Sequence, residues 1–183
     1  MGKLIYGMNP SLDGYIVGPD GGFDWSDPDE EVHRFHNERT RALDAHLCGR
    51  RLYETMVYWE TVDEATLPET EREFAGIWRK LPKLVFSSTL ETVEGNARLA
   101  TGDLAEEVTR LKDSTERLAV GGAGLAASLI ELDLIDEYEL FINPVLVGGG
   151  TPFFPRSEHR LDLELAEARA IGSRVAYLRY VRP

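Results

Sequence analysis

Three times along this chain an apolar stretch that reads as a buried strand gives way to glycines. The first is Cys48-Gly49-Arg50-Arg51 and the second Val120-Gly121-Gly122-Ala123-Gly124-Leu125. The third follows Leu140-Phe141-Ile142 and closes on Gly148-Gly149-Gly150. Glycine lets a backbone turn sharply and lets another group approach it. In the first two cases a helical pattern resumes at once, so a strand end, a tight turn and a helix start coincide. Strands alternating with helices in this way argue for an α/β sheet.

The remaining pattern agrees. Residues 3–8 read as a buried strand leading into Asn9-Pro10-Ser11-Leu12-Asp13-Gly14, and residues 15–17 as a short extended piece. Residues 18–28 are too broken by glycine and proline for regular structure, and form either a linker or a loop that folds over something. A helix is expected from Asp27, with Pro28 in its first position, Glu30 completing a capping-box-like pair, and Val32, Phe35, Arg39 and Leu43 at helical spacing. Residues 44–48 read as a strand and 50–56 as a short helix. Thr66-Leu67-Pro68-Glu69 resembles a second capping box, ahead of the stripe Phe74, Ile77, Trp78 and Leu81. Strands are expected at 83–86, 97–100 and 118–120, a helix behind Asp103 and Glu106, and an apolar helix at 125–132. Residues 137–147 read as one long strand, and 161–168 with 174–181 as a hairpin. The expectation is one domain over residues 1–183, an α/β sheet with antiparallel strands at one side, where the C-terminal hairpin lies.

Charge narrows the partners. With 20 Lys and Arg against 32 Asp and Glu, the net charge is −12. No basic run offers a footprint for a phosphate backbone or an anionic bilayer, so neither nucleic acid nor membrane is expected. A small phosphorylated ligand remains compatible, because a few arginines make a local positive site. Cys48 is the single cysteine, which excludes an intrachain disulfide or thiolate zinc site and fits a reducing compartment. With no secretory segment or membrane-length apolar run, a cytoplasmic protein is expected.

The candidate chemistry clusters at strand ends. Arg50 and Arg51 open a helix, where their charge opposes the helix dipole, so a bound anion or neighbouring carboxylates must offset them. The Gly121–Leu125 turn can bring backbone amides against a pyrophosphate, or serve only close strand–helix packing. Gly149 and Gly150 suggest a demanding turn or close contact with a ligand. Ser87 and Ser88 can bond a phosphate or start a turn. For proton chemistry the candidates are Asp13, otherwise an ordinary Asp-Gly turn residue, and Glu31, which would be desolvated if it faced inward beside the apolar stripe. His33 and His36 share a helical face but lack a third ligand at metal-site spacing, so no metal is expected.

Taken in order, Ser11-Leu12-Asp13-Gly14, Gly49-Arg50-Arg51 before Tyr53-Glu54, Val85-Phe86-Ser87-Ser88, Gly121-Gly122-Ala123-Gly124 and Asn143 to Phe154 resemble the dihydrofolate reductase-like superfamily. The resemblance is closest to the reductase domain of the bifunctional riboflavin-biosynthesis deaminase/reductase and its stand-alone relatives, and it covers nearly the whole chain. It implies a single α/β domain around a mixed, mostly parallel sheet flanked by helices, and an oxidoreductase that transfers hydride from NADPH to a small heterocyclic or sugar-linked substrate, similar to 5-amino-6-(5-phosphoribosylamino)uracil reductase, in a homodimer. Gly49, Arg50 and Arg51 would then hold phosphates. Ser87 and Ser88 would sit by the adenosine ribose and its 2′-phosphate, and Gly121, Gly122, Ala123, Gly124 and Leu125 would cradle the pyrophosphate. Asp13 matches the acidic residue of the first-strand loop in riboflavin-type enzymes.

The resemblance leaves an alternative within the enzyme class. Folate reductases carry a pterin-binding acid four residues before a Phe, a spacing that Glu31 and Phe35 share, after a Trp loop that Asp24-Trp25 resembles. On the substrate side these imply Asp13, Trp25, Glu31, Phe35, Gly149 and Gly150. Leu52 stands where a hydroxyl residue is usual, Ala126 where folate reductases have Tyr, and no zinc-deaminase motif is present. A dihydrofolate or pterin reductase and a non-catalytic nucleotide-binding module are therefore the alternatives.

Overall fold

The protein is described by a computed structural model that covers residues 1–157 and 160–183. In chain order the elements begin with β1 (Lys3–Met8), β2 (Tyr15–Val17), α1 (Glu30–Arg41), β3 (Ala45–Gly49), α2 (Arg50–Met56), α3 (Tyr58–Thr61) and α4 (Glu69–Lys80). They continue with β4 (Lys83–Phe86), β5 (Ala97–Leu99), α5 (Leu104–Ser114), β6 (Arg117–Gly121), α6 (Ala123–Glu131) and β7 (Glu137–Ile142). The chain ends with β8 (Thr151–Pro152), β9 (Glu164–Ile171) and β10 (Val175–Val181).

Eight strands form one sheet in the order β5-β4-β3-β6-β1-β7-β10-β9. Neighbours from β5 through to β7 are parallel, whereas β10 runs antiparallel to both β7 and β9. A separate two-stranded piece, β2 with β8, lies beyond the sheet.

Because side chains alternate across a strand, each parallel strand feeds two cores. Leu4, Tyr6, Leu47, Leu118 and Val120 pack with Val108 of α5 and with Ala126 and Leu129 of α6. On the other face Cys48 and Val85 pack under Trp78 of α4, and Phe141 and Tyr177 under Val32 of α1. The sheet is thus covered on both sides in its parallel part, which is why those strands read as continuous apolar runs.

Several boundaries differ from the sequence pattern, each for a local reason. α1 begins at Glu30 rather than near Pro28, because the Asp29 carboxylate accepts the Val32 amide at 2.9 Å. The expected Thr66 cap is not made. A 3₁₀ turn at Glu64–Thr66 intervenes, the Thr66 hydroxyl donates to Asp63 O at 2.7 Å, and α4 starts behind Pro68. β7 stops at Ile142 instead of reaching Val147, since the Asn143 side chain folds back to donate to Phe141 O and Pro144 has no amide to continue the ladder. β9 runs from Glu164, three residues later than the alternation suggests, and neither α3 nor β8 is announced by periodicity.

Candidate functional site

The parallel register lines up the two glycine turns. Cys48 pairs with Gly121, so Gly49 and Gly122 stand side by side where β3 and β6 end. Each is the N-cap of the helix that follows, and neither helix receives a side-chain cap. In contrast, α1 and α5 are capped by the carboxylates of Asp29 and Asp103. The first-turn amides of α2 and α6 therefore lie side by side without a side-chain acceptor among the described residues, an arrangement suited to a phosphate.

The glycines of the second turn have separable causes. Gly122 sits at φ +93°, a conformation that side chains rarely adopt. A Cβ on Gly121 would strike the Leu52 side chain and come within 3.2 Å of His46, so that glycine serves close internal packing. Gly124 has nothing within 4 Å of where its Cβ would be, so its face is open to a ligand.

Arg50 is already engaged. Its Nε donates to Glu54 at 2.8 Å and its terminal nitrogen to the Thr89 hydroxyl at 2.9 Å, which ties the start of α2 to the loop after β4. Ser87 lies in that loop and uses its Oγ to accept the Thr89 and Leu90 amides. Ser88 beside it is exposed. Arg51 is exposed, and its guanidinium has no partner among the described residues.

Asp13 acts as a clasp. Its carboxylate accepts the Ser11 hydroxyl at 2.7 Å, the Gly148 amide at 2.7 Å and the Val147 amide at 3.2 Å. The Ser11 and Gly148 bonds hold its pKa below the ordinary carboxylate value. An acid held ionised in this way is a poor proton donor, so the structure gives Asp13 the task of fastening the loop after β7 to the loop after β1. Gly150, at φ +112°, crosses so near Val17 O and Gly18 that a Cβ would overlap them, and its glycine serves that crossing. Gly149 is open.

A cleft of about 570 Å³ lies between these loops, lined by Gly18, Trp25, Asp27, Val145, Val147 and Arg174 among others. Trp25 is part of its lining, and its indole N–H is buried with no hydrogen-bond partner among the described residues. Arg174, from the turn between β9 and β10, is not foreshadowed by any motif, since only the hairpin's return brings it there.

Two residues expected on the substrate side are not among those that line this cleft. Glu31 is exposed, not inward, because Val32, one position on and about 100° around the helix, takes the core-facing place. Phe35 does not line the cleft. It packs 5.1 Å from Tyr177 and 5.8 Å from Phe141 with the Arg169 guanidinium 4.6 Å above its ring.

A doubly covered, mostly parallel sheet in this strand order, with two glycine-opened helices meeting at its central strand ends, defines a dihydrofolate reductase-like fold. Residues 2–177 match the family model of the RibD C-terminal domain, and the chain belongs to that family. The chain is 31% identical over 182 residues to YyaP, an uncharacterized protein of Bacillus subtilis, covering 97% of this chain and 94% of that one. A putative riboflavin biosynthesis protein from Shewanella sp. PV-4 has a similar structure, with a TM-score of 0.79, 22% identity and 99% of each chain covered. The Thermotoga maritima diaminohydroxyphosphoribosylaminopyrimidine deaminase/5-amino-6-(5-phosphoribosylamino)uracil reductase superposes with a TM-score of 0.67 at 15% identity. There all of this chain matches 57% of the larger protein.

Proposed function

We propose that this chain is a reductase that uses NADPH to deliver hydride to a small heterocyclic or sugar-linked substrate, in the manner of 5-amino-6-(5-phosphoribosylamino)uracil reductases. One observation carries the proposal, namely the two uncapped helix starts held side by side at Gly49 and Gly122 in a chain of net charge −12. Membership of the RibD C-terminal family supports the same class of activity.

The residues present fit the cofactor. The amides at the start of α6 and the open face of Gly124 suit a diphosphate, and Gly49 with the exposed Arg51 suits a second phosphate contact. Arg50, with Ser87 and Ser88 in the adjoining loop, suits a ribose 2′-phosphate that displaces Glu54 from the guanidinium. Bound NADPH supplies the hydride, and the protein supplies orientation and exclusion of water. Asp13 fixes the loop that walls the cleft. Arg174, which lines the cleft, offers a cation to an anionic substituent such as a sugar phosphate, and the Trp25 indole forms part of the wall.

A pterin reductase would require an inward carboxylate at Glu31, and the exposure of that residue disfavours it. The module without catalysis draws its support from Leu52, whose side chain fills the place behind the glycine turn where a hydroxyl would serve a phosphate. Titration with NADPH and separately with NADH, followed by cofactor fluorescence, tests the proposal. Selective binding of NADPH is expected, and Arg50→Ala should narrow the difference. Equal affinities would remove the 2′-phosphate assignment, and no binding at millimolar cofactor would remove the reductase. Oxidation of NADPH on a panel of ribosylaminopyrimidine substrates separates an enzyme from a binding module.

We further propose a homodimer built on the outer face of β7, β10 and β9. There the half-buried Leu140 and Leu178 lie beside the exposed Ala168, Ala170, Ala176 and the 57%-exposed Leu165, and together they form an uncharged surface.

A further inference from the structure

Asn9 is the first residue beyond β1, and its side chain is held in place by a histidine that the proposed chemistry leaves unused. His36, on α1, lies over Phe141 with 4.3 Å between ring centres, and its Nε2 stands 3.2 Å from Asn9 Oδ1. Burial, with Arg39 and His33 nearby, pushes the His36 pKa down to about 3, so the ring is neutral and carries one N–H. An amide oxygen only accepts, and the proton therefore sits on Nε2 and is donated to Asn9. The orientation of the Asn9 amide follows: its oxygen is taken, and its NH₂ group faces away from His36 with no acceptor among the described residues. Pro10 restricts the Asn9 backbone to an extended conformation. The chain is pinned just beyond, where Pro10 O accepts the Asn143 amide at 2.8 Å.

The place of this donor pair matters. Tyr6 is in register with Val120, so β1 and β6 end side by side, and Asn9 follows β1 at the same end of the sheet at which Gly122 opens α6. The cradle is directional. Arg50, Thr89 and Ser87 stand on the β4 side of the paired turns, and β1 stands on the other. A dinucleotide with its phosphorylated ribose on the β4 side and its diphosphate at Gly49 and Gly122 thus extends its other end toward β1. We propose that Asn9 donates to the carboxamide oxygen of the nicotinamide, and that His36 is the positioning residue that turns the Asn9 amide toward it. This rests on the cofactor assignment above.

The test compares NADPH with 2′-phospho-ADP-ribose, which keeps the phosphates and lacks the nicotinamide, by calorimetric titration of the intact protein. Asn9→Asp preserves an acceptor for His36 and removes the donors. It should weaken NADPH by about tenfold and leave the fragment unchanged. His36→Phe keeps a ring on Phe141 without the N–H and should weaken NADPH alone, whereas His36→Gln restores the donor and most of the affinity. The assignment is overturned if both substitutions at Asn9 and His36 leave NADPH binding intact. It is equally overturned if they weaken both ligands to the same degree, which would mark a structural role. Should Asn9→Asp fail to give a cooperative melt, the two His36 variants decide the question by the same comparison. Wild-type protein that binds neither ligand would overturn the cofactor assignment itself, a result distinct from either of the others.

Discussion

At the scale of single residues, burial and hydrogen bonding assign roles that residue type leaves open. Asp13 reads as a candidate acid, yet its bonds to Ser11 and Gly148 favour the charged form. Its folded pKa lies below its ordinary 3.8, so its stabilising contribution is complete above that value and disappears as pH falls through the lower folded value. Thermal melts of Asp13→Ala should show a deficit against wild type at neutral pH that closes at strongly acid pH. A deficit that is independent of pH would contradict the clasp. Cys48 is the opposite case, a thiol whose pKa burial pushes up to about 12. It should resist a thiol reagent such as iodoacetamide in the native state and react once denaturant exposes it. Modification of the native protein at the denatured rate would contradict the core placement.

At the scale of elements, the junctions carry the strain and the buried charges. Gly122→Ala places a side chain at φ +93° and should cost about 1–3 kcal/mol in urea unfolding, with a loss of NADPH binding beyond that expected from stability alone. An unchanged midpoint would mean the turn relaxes. Lys83 on β4 and Glu60 on α3 form a buried ion pair, with their side chains 1% and 7% exposed, and Lys83 also donates to Trp78 O at 2.7 Å. Removing one partner leaves the other charge unpaired in the interior. Lys83→Ala should therefore destabilise by about 3–5 kcal/mol, and a Lys83→Met, Glu60→Leu double variant should recover much of it. Additive losses in the double variant would show that packing, not charge, decides the site.

At the scale of the whole molecule, the two faces of the antiparallel part differ. Toward α1 they carry Glu137, Glu139, Arg169 and Arg179, with Glu139 paired to Arg39 of the helix. The opposite face is uncharged, and its β9 and β10 part is exposed at Leu165, Ala168, Ala170 and Ala176. In a chain of net charge −12, that face is where two copies can meet with least repulsion. Sedimentation of the wild type should give a dimer, and Leu165→Glu with Ala168→Glu should give a folded monomer. A wild-type monomer would end the dimer proposal and leave the site unaffected, since the paired helix starts lie within one chain.

Strand–glycine–helix succession alone was enough to indicate an α/β sheet, the helix at Arg50–Met56 and the coincidence of glycines with helix starts at Gly49 and Gly122, and the apolar run alone the strand at Lys83–Phe86. These are local properties, set by backbone freedom at glycine and by the spacing of apolar residues. Whether Glu31 faces inward depends on how α1 is rotated against β7 and β10, and that is set by Val32, Phe35 and Phe141 packing across more than a hundred residues of sequence. The same holds for Arg50 finding Thr89, for Asp13 reaching Gly148, and for Arg174 arriving at the cleft. Each contact joins segments far apart in the chain. Their meeting depends on strand order and register, which are fixed only when the sheet closes.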